Sequence, residues 1–161
     1  MFKFRSLVVV YALAALMPLV ASAQLKEDAK MMKKCALVCS TCQIECDSCF
    51  AHCLELIADG KKEHKATAQL CADCAECCKA CSTLCARNSP LAKHMLECCV
   101  KCCEECATAC EKFPKDEHMV ACAKSCRDCA KNCLEMSKHD HKYNGDTILP
   151  RSFCRQIGGP F

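Results

Sequence analysis

Residues 35–53 read CALVCSTCQIECDSCFAHC, and the spacing of their cysteines decides the fold. Cys35, Cys39, Cys42, Cys46, Cys49 and Cys53 follow steps of 4, 3, 4, 3 and 4 residues. On an α-helix that rhythm returns each side chain to one face, because positions three and four apart stack on adjacent turns. A strand would need period two, and a disulfide knot would show irregular gaps. The segment is expected to be a helix carrying an unbroken seam of thiols.

Three further seams lie downstream. Cys71, Cys74, Cys78, Cys81 and Cys85 repeat the rhythm, with Cys77 as an extra thiol. Cys99, Cys103, Cys106 and Cys110 keep it, while Cys98 and Cys102 widen the seam. Cys122, Cys126, Cys129 and Cys133 form the fourth. The stretch CCVKCCEECATAC, Cys98–Cys110, contains neither proline nor glycine, as a helix requires. Between the seams come ADGKKEHK from Ala58, with Gly60 and a charge cluster; RNSPLAKH from Arg87, with Asn88 and Ser89 before Pro90; and EKFPKDEH from Glu111, with Pro114. Each suits a helix end followed by a new start. Helices are expected at about 26–57, 65–87, 90–112 and 115–138. Short connections between long helices make neighbours antiparallel. The expected fold is all-α: an up-down-up-down four-helix bundle over residues 24–140 with a cysteine-lined core. The Lys, Glu, Asp, Ala and Thr between the cysteines suit a solvent-facing surface.

The ends of the chain differ from this body. Lys3 and Arg5 precede the apolar run LVVVYALAALMPLV, and ASA stands before Gln24. Residues 1–23 therefore read as a secretory signal peptide that is removed, leaving no stable membrane anchor. The expected destination is the periplasm or the exterior, reached unfolded because no twin arginine is present. Residues 141–161 lose the periodicity and form an irregular tail with an isolated Cys154. The formal charge of +3 includes Lys3 and Arg5, so the mature chain is close to neutral. That balance gives no reason to expect nucleic acid as a partner.

Cysteine occupies positions where leucine, isoleucine and valine usually make the core. A bundle built for stability alone would not choose it, since each missing methylene forfeits roughly 0.8 kcal/mol. The exported location makes a disulfide-rich structural protein the rival reading. Neighbours along one helix, however, constrain little when bridged. Cys71, Cys74, Cys77 and Cys81 match a ferredoxin-type cluster run, but Ser82 replaces the usual proline and no second copy exists. Soft-metal binding accounts for more of the pattern. Thiolates select Cu(I), and i, i+4 pairs such as Cys35/Cys39, Cys42/Cys46 and Cys129/Cys133 place two of them within reach of one ion. This C-x-x-x-C step recurs on all four expected helices.

Methionine and histidine extend the seams. Met32, Met95 and Met136 lie three or four residues beyond the last cysteine of their helices, and antiparallel packing gathers them at one end with His94 and His139. Met119, His118, His64 and His52 gather nearer the other. Thioethers bind Cu(I) more weakly than thiolates, so the Met32/Met95/Met136 end is the expected entrance. His139 and His141 in KHDHK are a further pair able to bind metal.

With its signal peptide, four amphipathic helices and inward C-x-x-x-C pairs, the chain resembles the cysteine-rich four-helix-bundle copper storage proteins over about residues 30–138. The resemblance implies a lumen filled with multiple Cu(I) ions, held mainly by thiolates, and a homo-oligomer, often a tetramer. The leader lacks the twin arginine of some exported members, and the tail after His139 has no counterpart in that pattern. The expected function is an exported copper store that exchanges ions with a copper donor or acceptor protein or a small copper chelate. A copper chaperone or detoxification protein would use the same thiolates.

Overall fold

The computed structural model describes the backbone of residues 2–139 and the side chains of residues 26–138. Four helices account for almost all of it: α1 (Phe2–Ala58), α2 (Lys65–Ala86), α3 (Ala92–Cys110) and α4 (Glu117–His139). A short 3₁₀ turn, Lys62–His64, precedes α2. The helix expected to begin near residue 26 instead continues back to Phe2. QLKEDAKMMKK, residues 24–34, is rich in helix formers and holds neither glycine nor proline to stop it. The side chains of the expected leader, 1–23, lie outside the described residues, as do those of His139, His141, Cys154 and the tail 141–161.

The breaks between helices have identifiable chemistry. At the end of α1, Gly60 adopts φ 88°, a left-handed conformation that costs glycine nothing. Its N–H bonds the Ile57 carbonyl and the Lys61 N–H bonds the Leu56 carbonyl, both at 3.0 Å, closing a Schellman motif. Asn88, at φ 49°, does the same for α2, with its N–H on Cys85 and the Ser89 N–H on Leu84. Pro90 and Pro114 fall in the turns, ahead of the first helical residues Ala92 and Glu117, rather than inside the first turn. Asp116 caps α4 by accepting the Met119 N–H on Oδ1 at 3.2 Å.

The sulfur contacts give the packing order. Rising along α1, Cys35, Cys39, Cys46 and Cys49 meet Cys133, Cys133, Cys126 and Met119, which fall along α4. Likewise Cys71, Cys74 and Cys78 of α2 meet Cys110, Cys103 and Cys99 of α3. Both pairs run antiparallel, and α2 and α4 close the ring against α1 and α3. Outside, a bidentate pair ties α3 to α4: Arg127 donates from Nε and Nη2 to the two Glu111 oxygens at 2.9 and 2.7 Å. Such an exposed pair orients the helices more than it stabilises them. The Ser40 and Ser82 hydroxyls meet at 2.6 Å between α1 and α2. Among the described residues no helix is long and apolar enough to cross a membrane.

Candidate metal centre

Each helix turns its cysteine seam toward the axis. Cys39, Cys42, Cys46 and Cys53 of α1, Cys71, Cys74, Cys78 and Cys81 of α2, Cys99, Cys103 and Cys106 of α3, and all four cysteines of α4 have no exposed surface at all. Cys35, Cys49, Cys85 and Cys110 are only 1% exposed. Leu56, Leu96, Met32, Met119 and Met136 fill the ends of this column. All the cysteines among the described residues are free thiols.

The thiols are grouped more closely than single-helix pairs imply. The i, i+4 pairs Cys42/Cys46, Cys74/Cys78 and Cys129/Cys133 bring sulfurs to 4.0 Å, and Cys99/Cys103 to 3.9 Å. Some contacts between helices are shorter: 3.5 Å for Cys46–Cys126 and 3.6 Å for Cys39–Cys133 and Cys78–Cys103. Quartets whose sulfurs all lie within 4.8 Å of one another run along the lumen. They include Cys39/Cys99/Cys129/Cys133, Cys42/Cys74/Cys78/Cys103, Cys42/Cys46/Cys74/Cys126, Cys46/Cys106/Cys122/Cys126 and Cys49/Cys71/Cys110/Cys122. Cys42, Cys46, Cys74, Cys122 and Cys126 each belong to two of these quartets, and the 3.7 Å contact of Cys78 with Cys99 joins the first quartet to the rest, so the sites merge into one column. A metal bonded to sulfur at about 2.3 Å spans two sulfurs up to about 4.6 Å apart. The gaps of 3.5–4.0 Å between neighbouring sulfurs can thus be bridged with the backbone in place.

The shared protons divide the column. Hydrogen bonding to Cys126 and Cys129 pushes the Cys103 thiol well above its usual range, while Cys42 and Cys99, bonded to that same thiol, are held well below it. Burial pushes Cys53, near the α1 end of the column, up to about 12. An arriving soft cation displaces the thiol protons.

The ends differ from each other. Met32 and Met136 close one end, buried as expected. Met95 does not share that face: it is half-buried, and Leu96, fully enclosed, takes the inward position. Both residues stand within one turn of Cys99, and the rotation of α3 selects the three-residue step over the four-residue one. His94, also expected at this end, is exposed on the outer surface. At the other end the Met119 sulfur lies 3.5 Å from Cys49. There His52 Nε2 meets Asp116 Oδ2 at 2.8 Å, and the His52 and His118 rings stack at 4.3 Å. Burial opposes ionisation of Asp116, but the His52 ring and the backbone N–H groups of Met119 and His118 outweigh it and hold the carboxyl below its usual range. His64 stacks on Phe113 at 4.1 Å with its buried Nδ1 unpartnered.

Three cysteines stand apart. Cys77 and Cys102 are half-buried and Cys98 is exposed, all in the groove between α2 and α3. Cys77 Sγ lies 3.6 Å from Cys98 Sγ and 4.0 Å from Met95 Sδ. Sequence reasoning treated these thiols as a broader wall of one lumen; the structure puts them on its outer side.

A dry column of merging thiol quartets inside four helices defines a protein that holds soft metal ions in number. The copper storage protein family model matches residues 27–138, and the chain belongs to that family. The fold is similar to that of a Cu(I)-bound copper storage protein, BsCsp3, at 30% identity and TM-score 0.61, covering 66% of this chain and 98% of that one. It is also similar to a cytosolic copper storage protein from Streptomyces lividans solved with five coppers, at 24% identity and TM-score 0.64, covering 70% and 97%. The Streptomyces lividans protein loaded with 10 copper equivalents aligns at 24% identity and TM-score 0.62, covering 68% and 85%. Among curated protein sequences none matches the chain. The buried thiols are the store of this family member, and their overlapping quartets suit multiple Cu(I) ions.

Proposed function

We propose that the mature chain is an exported Cu(I) reservoir, filled in the periplasm or outside the cell after removal of residues 1–23. The observation that carries the storage reading is the merging of buried Cys quartets into one column. A protein that carries one ion needs one pair of thiols, and this chain encloses a lumen of them. Each thiolate can bridge two ions, so capacity approaches the number of lumen cysteines, on the order of 15–19 ions. Copper enclosed by thiolates has no open coordination position, so we assign no catalytic step.

Filling is sequential. Cu(I) arrives on a donor protein or a small chelate and passes to the lumen thiols, with the buried thioethers of Met32 and Met136 capping one end of the column. Each ion displaces thiol protons and ties neighbouring helices together. The near-neutral mature surface fits protein or chelate partners better than nucleic acid. Exposed Leu37 and Ile44, one heptad apart on α1, offer an apolar stripe consistent with a homo-oligomer such as the tetramer the family resemblance suggests.

An anaerobic titration of the reduced mature protein with Cu(I), against a competing chromophoric chelator, tests the storage reading. The expected result is tight uptake of more than about ten ions per chain with helicity retained. Uptake of one or two ions would replace storage with single-ion carriage. Fractionation of cells expressing the full chain tests export separately, through the mass of the mature N-terminus.

A further inference from the structure

The lumen thiols pose a problem of access. Ligand exchange requires the donor's sulfur and an accepting sulfur to contact the same ion, and the lumen sulfurs are 0–1% exposed. Met32 and Met136, at the end of the column, are themselves only 6% and 7% exposed. Cys98 is the exception, an exposed thiol on α3. It faces the half-buried Cys77 on α2 at 3.6 Å, and Cys77 in turn has the Met95 thioether at 4.0 Å. Cys102 lies one turn on from Cys98 and is half-buried. Cys77 and Cys98 are each next in sequence to a lumen thiol, Cys78 and Cys99, whose sulfurs stand 3.7 Å apart. An outer sulfur pair and an inner one therefore lie on opposite sides of the same α2–α3 wall.

We propose that Cys98, Cys77 and Met95, backed by Cys102, form a separate Cu(I) site on the outer wall between α2 and α3, a lateral port through which the store exchanges ions with a thiolate-bearing donor. The inference rests on the reading of the lumen as a Cu(I) store. The exchange moves no electrons and copper remains Cu(I) throughout. The Cys98 sulfur bonds the incoming ion as the donor's copper–sulfur bond breaks, and the Cys98 proton passes to the departing thiolate. Cys77 then takes the ion, with the Met95 thioether as a weak ligand, as the Cys98–copper bond breaks and the Cys77 proton passes to Cys98; Cys99 receives the ion inside in the same way, its proton passing to Cys77. A neutral thioether suits this position because it holds the ion without trapping it.

The test compares two variants of the mature protein under anaerobic conditions, Cys77→Ser/Cys98→Ser and the lumen control Cys42→Ala/Cys126→Ala, each checked for helicity. Cu(I) is supplied as its glutathione complex, and both initial uptake rate and final capacity are read. The groove variant is expected to keep capacity to within about one or two ions while its initial rate falls about tenfold or more, because access limits encounter. The lumen variant is expected to keep the initial rate and lose capacity. In the unaltered protein, Cu(I) added beyond the capacity of the lumen should protect Cys98 from brief iodoacetamide labelling, located by peptide mass. An unchanged rate in the groove variant would overturn the port, as would a Cys77–Cys98 disulfide in protein taken directly from its compartment. Failure of the storage reading looks different: the unaltered protein itself would bind few ions.

Discussion

Cys98 and Cys99 are adjacent in the chain, yet one is exposed and the other fully enclosed. A single residue turns a helix by about 100°, enough to move a thiol from the wall's outer side to its inner side. Cys99 joins the quartet Cys39/Cys99/Cys129/Cys133, with partners from two other helices, whereas Cys98 has Cys77 and solvent. The contrast separates capacity from access. Enclosed thiols retain ions because neither water nor a competing ligand reaches them, and for the same reason they cannot receive ions directly. A store of this kind needs a less protected sulfur to work, and the α2–α3 groove supplies one.

The largest effect that would sharpen the contrast concerns stability. Copper bound to the folded chain alone adds about 4 kcal/mol per site at a thousandfold excess over Kd. Loaded protein should therefore melt more than about 15 °C above the reduced apo form, since 1 kcal/mol shifts a domain of this size by several degrees. Replacing Cys42, Cys46, Cys103 and Cys126 by alanine should remove most of that gain. Replacing Cys77, Cys98 and Cys102 by serine should leave it nearly intact. Calorimetry on the loaded proteins decides, and equal losses in the two variants would erase the distinction between lumen and groove.

A smaller effect follows from protonation. Burial raises the Cys53 thiol to about 12 and the half-buried Cys102 thiol to about 11, from 9.0. In the apo protein these groups prefer to stay neutral when folded. Their contribution to stability is complete below about pH 9 and is lost as pH rises through 11 to 12, where the unfolded chain releases protons first. The melting temperature of the reduced apo form should fall over that window. In the loaded form the thiolates are already metal-bound, so its melting temperature should fall less. A parallel decline in both forms would mean that copper had not replaced those protons.

Much of this was legible in the sequence because cysteine marks the inward face directly. The 4, 3 rhythm of Cys35–Cys53 and its three echoes specify four helices, their faces and, with Gly60, Asn88 and Pro114 at the breaks, nearly their limits. Less legible was anything depending on how one helix is set against another. The quartets draw on sulfurs from three or four helices, and that register comes from turn geometry and packing, which single-helix spacing does not encode. The same limit explains Met95 and Leu96, since both positions suit the seam and only contact with α2 and α4 decides between them. For Cys77, Cys98 and Cys102 the departure from the strict rhythm was the available signal. An extra thiol one residue off a seam sits on its margin, and the margin here opens to solvent. The continuation of α1 back past residue 26 has the plainest cause, a stretch over residues 24–34 with nothing in it to end a helix.

The most direct test of the central claim is a crystal structure of the mature protein fully loaded with Cu(I), phased or mapped with anomalous scattering at the copper edge. The account predicts a file of copper peaks along the bundle axis, from the Cys39/Cys99/Cys129/Cys133 quartet to Cys49/Cys71/Cys110/Cys122, with one weaker peak between Cys77 and Cys98. Copper confined to surface histidines or to the ends of the bundle, with the lumen thiols unligated, would contradict it.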